Sequence, residues 1–221
     1  MSTPVEGLLR ALGFAGPGLI TLAIFYSALR YRGKRGERFS LLNHFISELG
    51  ELGVSPAARV FNTGLILGGL VLLPYVVWLG FVFHSLAGWL GSAAGATTAL
   101  SVSAVGIFPM NRLAPHGQAA MTYFRAGLAM VGCFGLAILL QRPGRIVVPQ
   151  AANWLSLLAA CCYASFLGWL TRSSSRETPT DPLDPEKTPE RPRLWALPIL
   201  EWAVFFSTIL WLFGVAFLIR G

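Results

Sequence analysis

The chain has 221 residues, of which 54% are hydrophobic and only 12% charged, and its mean hydropathy is +0.61. Soluble domains carry about twice that share of charge, and the apolar residues here lie in long blocks, which excludes a soluble domain, a disordered chain and a disulfide scaffold. The formal charge of +7 comes mostly from Lys and Arg beside the ends of these blocks, so we do not expect nucleic-acid binding.

Six apolar blocks are near the length that crosses a bilayer, about 20 residues. Because hydrocarbon offers no water to the backbone, each block is predicted to be a helix. The fourth block is the shortest and is expected to begin earlier, near Ala119. The sequence thus predicts an all-α polytopic membrane protein, with residues 1–221 forming one six-helix domain in a plasma (bacterial inner) membrane. The blocks are Ala11–Leu29, Val60–Phe83, Ala87–Phe108, Ala126–Leu140, Ala151–Leu170 and Leu194–Ile219.

The basic residues predict an orientation. A cluster of them directly follows the first block, which indicates a retained span and not a cleaved signal peptide. Most of the 17 Lys and Arg residues lie in or beside the first, third and fifth loops, so the positive-inside rule places these loops in the cytoplasm and both termini outside. The exceptions are Arg10, Arg142, Arg145 and Arg220.

The segment Ser40–Asn62, in the first loop, is the richest in polar residues. Gly50 and Gly53 indicate that any helix here is short, and Ser55 is a suitable N-cap for the second span. We therefore predict a short amphipathic or re-entrant helix between the first and second spans. On such a helix four polar residues would share one face, at i, i+3, i+4 and i+7: His44, Ser47, Glu48 and Glu51.

The third span consists mostly of Gly, Ala, Ser and Thr and includes Gly91-xxx-Gly95, while the second span carries Gly64-xxx-Gly68. Small residues let helix backbones approach closely, so we expect the third helix at the centre of the bundle. The alternative is that its small side chains leave room for a ligand or a lipid tail.

A second polar segment joins the third and fourth spans, on the side of the first loop. Its His116 is expected to face that loop. The sixth span begins on the same side and contains Glu201 near that end. An ionisable residue at membrane depth is a functional candidate, and the competing interpretation pairs Glu201 with Arg125 or Arg59. The predicted binding residues are Asn43, Glu51, Asn62, Asn111, Arg125 and Glu201.

Three kinds of chemistry fit these side chains. A zinc ion would take His44, Glu48 and His116, but this set is short of ligands. A Ser–His–acid hydrolase would take Ser47, His44 and Glu51, although one helix face does not readily give the triad geometry. The favoured interpretation is polar packing, in which these groups and the arginines bind each other and lipid headgroups. No cofactor is predicted, and zinc remains the alternative.

The segment Thr171–Arg193 has five prolines, ten charges that cancel and a single large apolar residue, Leu183. Such a composition cannot bury a core. We predict a flexible, Pro-rich charged loop between the fifth and sixth spans.

Short motifs follow one another across Leu41–Ala129: HFISELG, SPA, FNTGLILGG, VGIFPMN and PHGQAAMTYFRAG. In this order and spacing they resemble the bacterial and archaeal membrane family called domain of unknown function 998. The resemblance implies a six-span fold and no established activity. The residues that carry it are Ser47, Glu48, Gly50, Pro56, Phe61, Asn62, Gly64, Gly106, Phe108, Pro109 and His116.

More distantly, the pattern is similar to eukaryotic six-span proteins of the damage-regulated autophagy modulator type, whose relatives are linked to lipid and GPI-anchor handling. That group usually has its first loop on the lumenal or outer side, opposite to the charge-based orientation. We expect a non-catalytic, lipid-associated accessory, binding or sensing protein, with membrane lipids as partners and other membrane-protein subunits as further candidates. The alternatives are a membrane-embedded lipid-modifying enzyme of hydrolase or acyl-transfer type, using His44, Glu48 and His116, and a small-molecule transporter.

Overall fold

A computed structural model describes residues 3–173 and 191–219 of the chain. Within them, six α-helices are long and apolar enough to cross a membrane, which confirms the predicted six-span, all-helical fold. Two short 3₁₀ helices, Ile46–Gly50 and Gln150–Ala152, accompany them. The α-helices are α1 (Pro4–Arg30), α2 (Ala58–Phe83), α3 (Leu86–Ile107), α4 (Leu113–Leu139), α5 (Asn153–Ser173) and α6 (Ala196–Leu218).

Two helices begin well before the apolar blocks that predicted them. Helix α1 starts at Pro4 because Thr3 and Glu6 form a capping box, in which each side chain accepts from the other residue's backbone N–H. Helix α4 starts at Leu113, and Pro115 lies in its first turn, where a missing backbone N–H costs no helical hydrogen bond. Polar N-terminal turns therefore extend both helices beyond their hydrophobic cores.

The helices form a ring in chain order. Each packs against the next, and α6 returns to pack against α1. The prediction that α3 lies at the centre is wrong, since α3 packs mainly on α2 and α4, and α6 has the largest buried share. The small residues of α3 instead bring its two neighbours close, with Gly91 against Phe134 of α4 and Gly95 against Val76 of α2.

The glycines of α2 bring it against α1. A Cβ atom built on Gly68 would lie 2.9 Å from the carbonyl oxygen of Gly16, and Gly64 faces Ala23. This backbone approach is the kind of helix contact that the Gly64-xxx-Gly68 motif predicts.

Contacts bring loop 1 (residues 31–57), loop 3 (108–112) and the described part of loop 5 (191–195) to one end of the bundle, called here the polar end. Asn111 bonds the backbone of Leu52, and Asn43 donates to the carbonyl of Pro192. Near the bundle's other end, Arg10 donates to two carbonyl oxygens close to the end of α6, each at 2.6 Å. The cytoplasmic orientation of the polar end stays a prediction.

Loop 1 contains a short helix, as predicted, but a smaller one than the polar pattern indicated. Only Ile46–Gly50 is helical, in a single 3₁₀ segment, so His44 precedes it and Glu51 follows it. The four polar residues therefore do not share one helix face, and that part of the prediction is wrong. Helix α2 then begins at Ala58 after Ala57, so Ser55 is not its N-cap.

The predicted flexible loop Thr171–Arg193 lies mostly outside the described residues, which omit 174–190. Its first three residues belong to α5, and its last residues, from Arg191, belong to the polar end.

Candidate functional site

Loop 1 is fastened to loop 5 by an ion pair with two hydrogen bonds. The Arg191 guanidinium donates to both carboxylate oxygens of Glu48, at 2.9 and 2.6 Å, and to the carbonyl of Asn43 at 3.2 Å. Glu48 also accepts from the N–H of Phe45, which closes the first turn of the 3₁₀ helix. Hydrogen bonding to Glu48 raises the pKa of Arg191, and such two-point pairs are stronger than a single charged contact.

Asparagine side chains fasten the other end of loop 1. Asn111 of loop 3 accepts from the N–H of Leu52 at 2.7 Å and donates to its carbonyl at 2.9 Å. Asn62 of α2 donates to the carbonyl of Gly50 at 3.0 Å. Glu51 forms a salt bridge with Lys34, at 3.1 Å, within the same loop. These contacts therefore hold loop 1 against the ends of the helices.

His44 is buried in an aromatic environment, with its ring 5.5 Å from that of Tyr31 and 5.1 Å from that of Phe39. Its Nδ1 atom is 2.7 Å from the Asn43 side-chain oxygen, and among the described residues its buried Nε2 atom has no hydrogen-bond partner. Trp202 of α6 donates to its carbonyl. Burial lowers the pKa of His44 against the opposing effect of Glu48, so the geometry favours a neutral ring.

A cavity of about 100 Å³ lies beneath loop 1, inside the ring of helices. Aliphatic and aromatic side chains from α1, α2, α3, α4 and α6 form most of its wall, among them Ile24, Leu65 and Phe205. Ile46 and Ser47 of the 3₁₀ helix also line it, so loop 1 itself closes part of the cavity. Its remaining polar lining residues are His116, Tyr123 and Glu201.

The hydrogen bonds of the polar lining residues define what they offer to the cavity. His116 Nδ1 lies 2.7 Å from the carbonyl oxygen of Phe108, which can only accept, so Nδ1 carries the proton and a neutral ring keeps Nε2 as an acceptor. Glu201 accepts from the N–H of Ile46 at 2.7 Å. The Ser47 hydroxyl donates to the sulfur of Met110 at 3.4 Å, a weak acceptor.

The structure divides the predicted site residues into two groups. Ser47, His116 and Glu201 line the cavity. Six others lie at the polar end, where His44 is among aromatic rings and the rest hold loop 1: Glu48, Glu51, Asn43, Asn62 and Asn111. Arg125 is exposed on α4 and belongs to neither group.

The expected partner of Glu201 is not found. Arg59 and Arg125 are both exposed, and neither forms an ion pair with Glu201 in the described part of the chain. The backbone N–H of Ile46 takes that place, because loop 1 folds down onto α6.

The metal and triad hypotheses gain no support from this geometry. The three triad candidates have other partners, because Ser47 donates to the sulfur of Met110, His44 lies beside Asn43 and Glu51 pairs with Lys34. Within residues 3–173 and 191–219, no group of three or more His, Cys, Asp and Glu side chains is placed to hold a metal ion. His44 and His116 lie in different surroundings, the first among Tyr31 and Phe39 and the second at the cavity.

Sequence reasoning missed several residues of the polar end. Arg191 falls in the segment predicted to be flexible, and Lys34 reads only as a topology signal. Tyr31, whose ring contacts that of His44, and Trp202, which donates to the His44 carbonyl, resemble ordinary interfacial aromatics in the sequence. Glu48 was the clue in the sequence, because a carboxylate needs a cationic partner wherever the fold buries it.

The fold defines a polytopic membrane protein whose helices surround a cavity beneath loop 1. The family model for a protein of unknown function (DUF998) matches residues 14–218, and the chain belongs to this family. This confirms the resemblance that the motifs of loops 1 and 3 indicated. No curated protein matches the chain, and no solved structure does.

Proposed function

We propose that the protein is a non-catalytic, lipid-associated binding and sensing protein, which takes one end of a small amphiphile or lipid into the cavity beneath loop 1. The observation that carries this proposal is the composition of the cavity wall. Apolar side chains from five helices surround it, and a few polar groups, Ser47, His116 and Glu201 among them, interrupt that wall. An apolar space with a few placed polar groups is the usual form of a small-molecule site.

The size of the cavity limits what enters it. Apolar cavities of about 150 Å³ hold benzene, so the cavity of about 100 Å³ fits a head or chain end of a few atoms and not a whole phospholipid. The rest of a longer ligand would remain in the surrounding bilayer.

Contacts between the cavity and loop 1 supply a route for sensing. Ile46 and Ser47 line the cavity, and the N–H of Ile46 donates to Glu201. A ligand that bonds Glu201 would therefore also act on the 3₁₀ helix, which Glu48 ties to Arg191 at the surface. Occupancy of the cavity is thereby linked to the conformation of the polar end.

The enzymatic alternative requires His44, Glu48 and His116 to act on one substrate. Only His116 lines the cavity, while Glu48 is engaged by Arg191 and His44 lies among aromatic rings. These separate roles favour binding over catalysis.

We further propose that the polar end faces the cytoplasm of a plasma membrane. The basic cluster after α1 lies at this end, and Lys and Arg beside short loops are retained on the cytoplasmic side. Membrane lipids are the partners that this placement implies.

Matched variants of α4 test the binding proposal. Ala120 lines the cavity, whereas Ala129 is exposed on the outer surface of the same helix. The full chain and its Ala120→Leu and Ala129→Leu variants would be purified in one detergent, and the extracted small molecules compared by mass spectrometry. We expect a compound that Ala120→Leu loses and Ala129→Leu keeps. Equal contents in all three samples would contradict the proposal, since annular lipids do not depend on the cavity.

A further inference from the structure

The charges around the cavity restrict the polar end of a ligand. None of the described residues that line the cavity is a Lys or an Arg, and the ionisable residues among them are His116, Tyr123 and Glu201. A carboxylate or phosphate buried here would lack a cationic partner and would lie in the same small space as the Glu201 carboxyl group. Buried charges without a partner are strongly unfavourable.

His116 offers an acceptor to the cavity. Its Nδ1–H is committed to the carbonyl of Phe108, at 2.7 Å. The neutral ring therefore keeps its lone pair at Nε2, and this atom can only receive a hydrogen bond.

Glu201 offers a second acceptor. One carboxyl oxygen receives the N–H of Ile46, and no other hydrogen bond to this carboxyl group comes from the described residues. Since a carboxyl group has two oxygens with about four acceptor positions when ionised, most of that capacity is unused. Glu201 is only partly buried and lines the cavity, so its unused capacity is available there.

We infer that the site is selective for a ligand whose polar end donates hydrogen bonds, an amine or a hydroxyl group, and that it rejects carboxylates and phosphates. This inference rests on the proposed function, because it specifies the ligand of the same cavity. An amine would bind Glu201 as an ammonium–carboxylate pair, which supplies the cationic partner that the lining residues lack, and a hydroxyl group would donate to Glu201 or to His116. Ser47 lies at the same wall and both donates and accepts.

Three probes of equal chain length separate these chemistries: 1-hexanol, hexylamine and hexanoate. Their binding to the full chain in phosphatidylcholine nanodiscs would be measured by ligand-observed NMR, with Ala120→Leu defining the signal that belongs to the cavity. We expect 1-hexanol and hexylamine to bind at least about tenfold more tightly than hexanoate, since one charge-assisted hydrogen bond corresponds to about that factor.

The Glu201→Gln variant assigns the selectivity to one side chain. It keeps the shape of the residue and removes its ionisable carboxyl group. The binding of hexylamine should therefore weaken about tenfold, and that of 1-hexanol by less than about threefold. If the variant does not fold, the comparison of hexanoate with 1-hexanol in the unaltered protein still decides the question. Equal binding of these two probes would overturn the inference and leave cavity binding intact. Binding of all probes that is unchanged in Ala120→Leu would refute the proposed function as well.

Discussion

Arg191 is expected to control how often loop 1 opens, and replacing it with methionine tests this directly. The variant loses both hydrogen bonds to Glu48 and the one to the Asn43 carbonyl, while the aliphatic part of the side chain remains. The six helices do not depend on these bonds, so we expect a local effect on residues 43–52 and an unchanged helical content.

The magnitude follows from the exposure of the two partners. The Glu48 side chain is 7% exposed and that of Arg191 is 38% exposed. Removing one partner of a fully buried pair costs about 3–5 kcal/mol, but water reaches this pair from the Arg191 side and reduces the loss. We expect about 2 kcal/mol, which raises the open fraction of loop 1 roughly 30-fold.

Hydrogen–deuterium exchange in nanodiscs measures that fraction through the amides of Phe45 and Leu52, which are bonded to Glu48 and Asn111. The matched control is Arg193→Met, which removes the same charge from an exposed residue that forms no hydrogen bond or ion pair with the described residues. The double variant Glu48→Gln with Arg191→Met should exchange more slowly than Arg191→Met alone, because it leaves no unpaired carboxylate. Equal exchange in Arg191→Met and Arg193→Met would refute the role assigned to the pair.

Three further predictions concern other parts of the chain. Burial lowers the pKa of His44 from its ordinary value of 6.5, so the unfolded chain binds more protons at that residue than the folded chain. The free energy of unfolding, measured by thermal unfolding, should therefore fall as the pH drops below 6.5. The same dependence of that free energy on pH in the His44→Phe variant would contradict this. Gly16→Leu should destabilise the protein by about 3 kcal/mol or more, because its Cβ would lie 2.9 Å from backbone atoms of α2. Gly18→Leu meets open space and should be nearly neutral in the same unfolding assay. A cysteine replacing Arg193, which is exposed at the polar end, should react with an impermeant maleimide only after the cells are opened, in a chain without its native cysteines. Labelling of intact cells would place the polar end outside.

The helices were predictable because each one crosses hydrocarbon. An uncharged stretch of that length has few alternatives to a helix, and the end of α2 at Phe83 agrees with its block. The ends that differ are polar turns, such as the one that Thr3 and Glu6 stabilise, and hydropathy does not detect these.

The residues that line the cavity were among the candidates in the sequence, but their arrangement was not predictable. Ser47, His116 and Glu201 were all candidates, yet only the folded chain brings them to one cavity, since they belong to loop 1, α4 and α6. The helical-face argument for loop 1 failed because only five of its residues are helical and Gly53, with φ +85°, turns the chain soon after them. The partner of Glu48 lies 143 residues away, a separation that no local pattern reports.

The most direct test of ligand binding in the cavity is an experimental density map of the full chain purified from its native membrane. We predict elongated density inside the cavity, with its polar end within hydrogen-bonding distance of Glu201 or His116, and no such density in the Ala120→Leu variant. Side chains that close the cavity, or only separate water-sized peaks within it, would contradict the claim that this space binds a ligand.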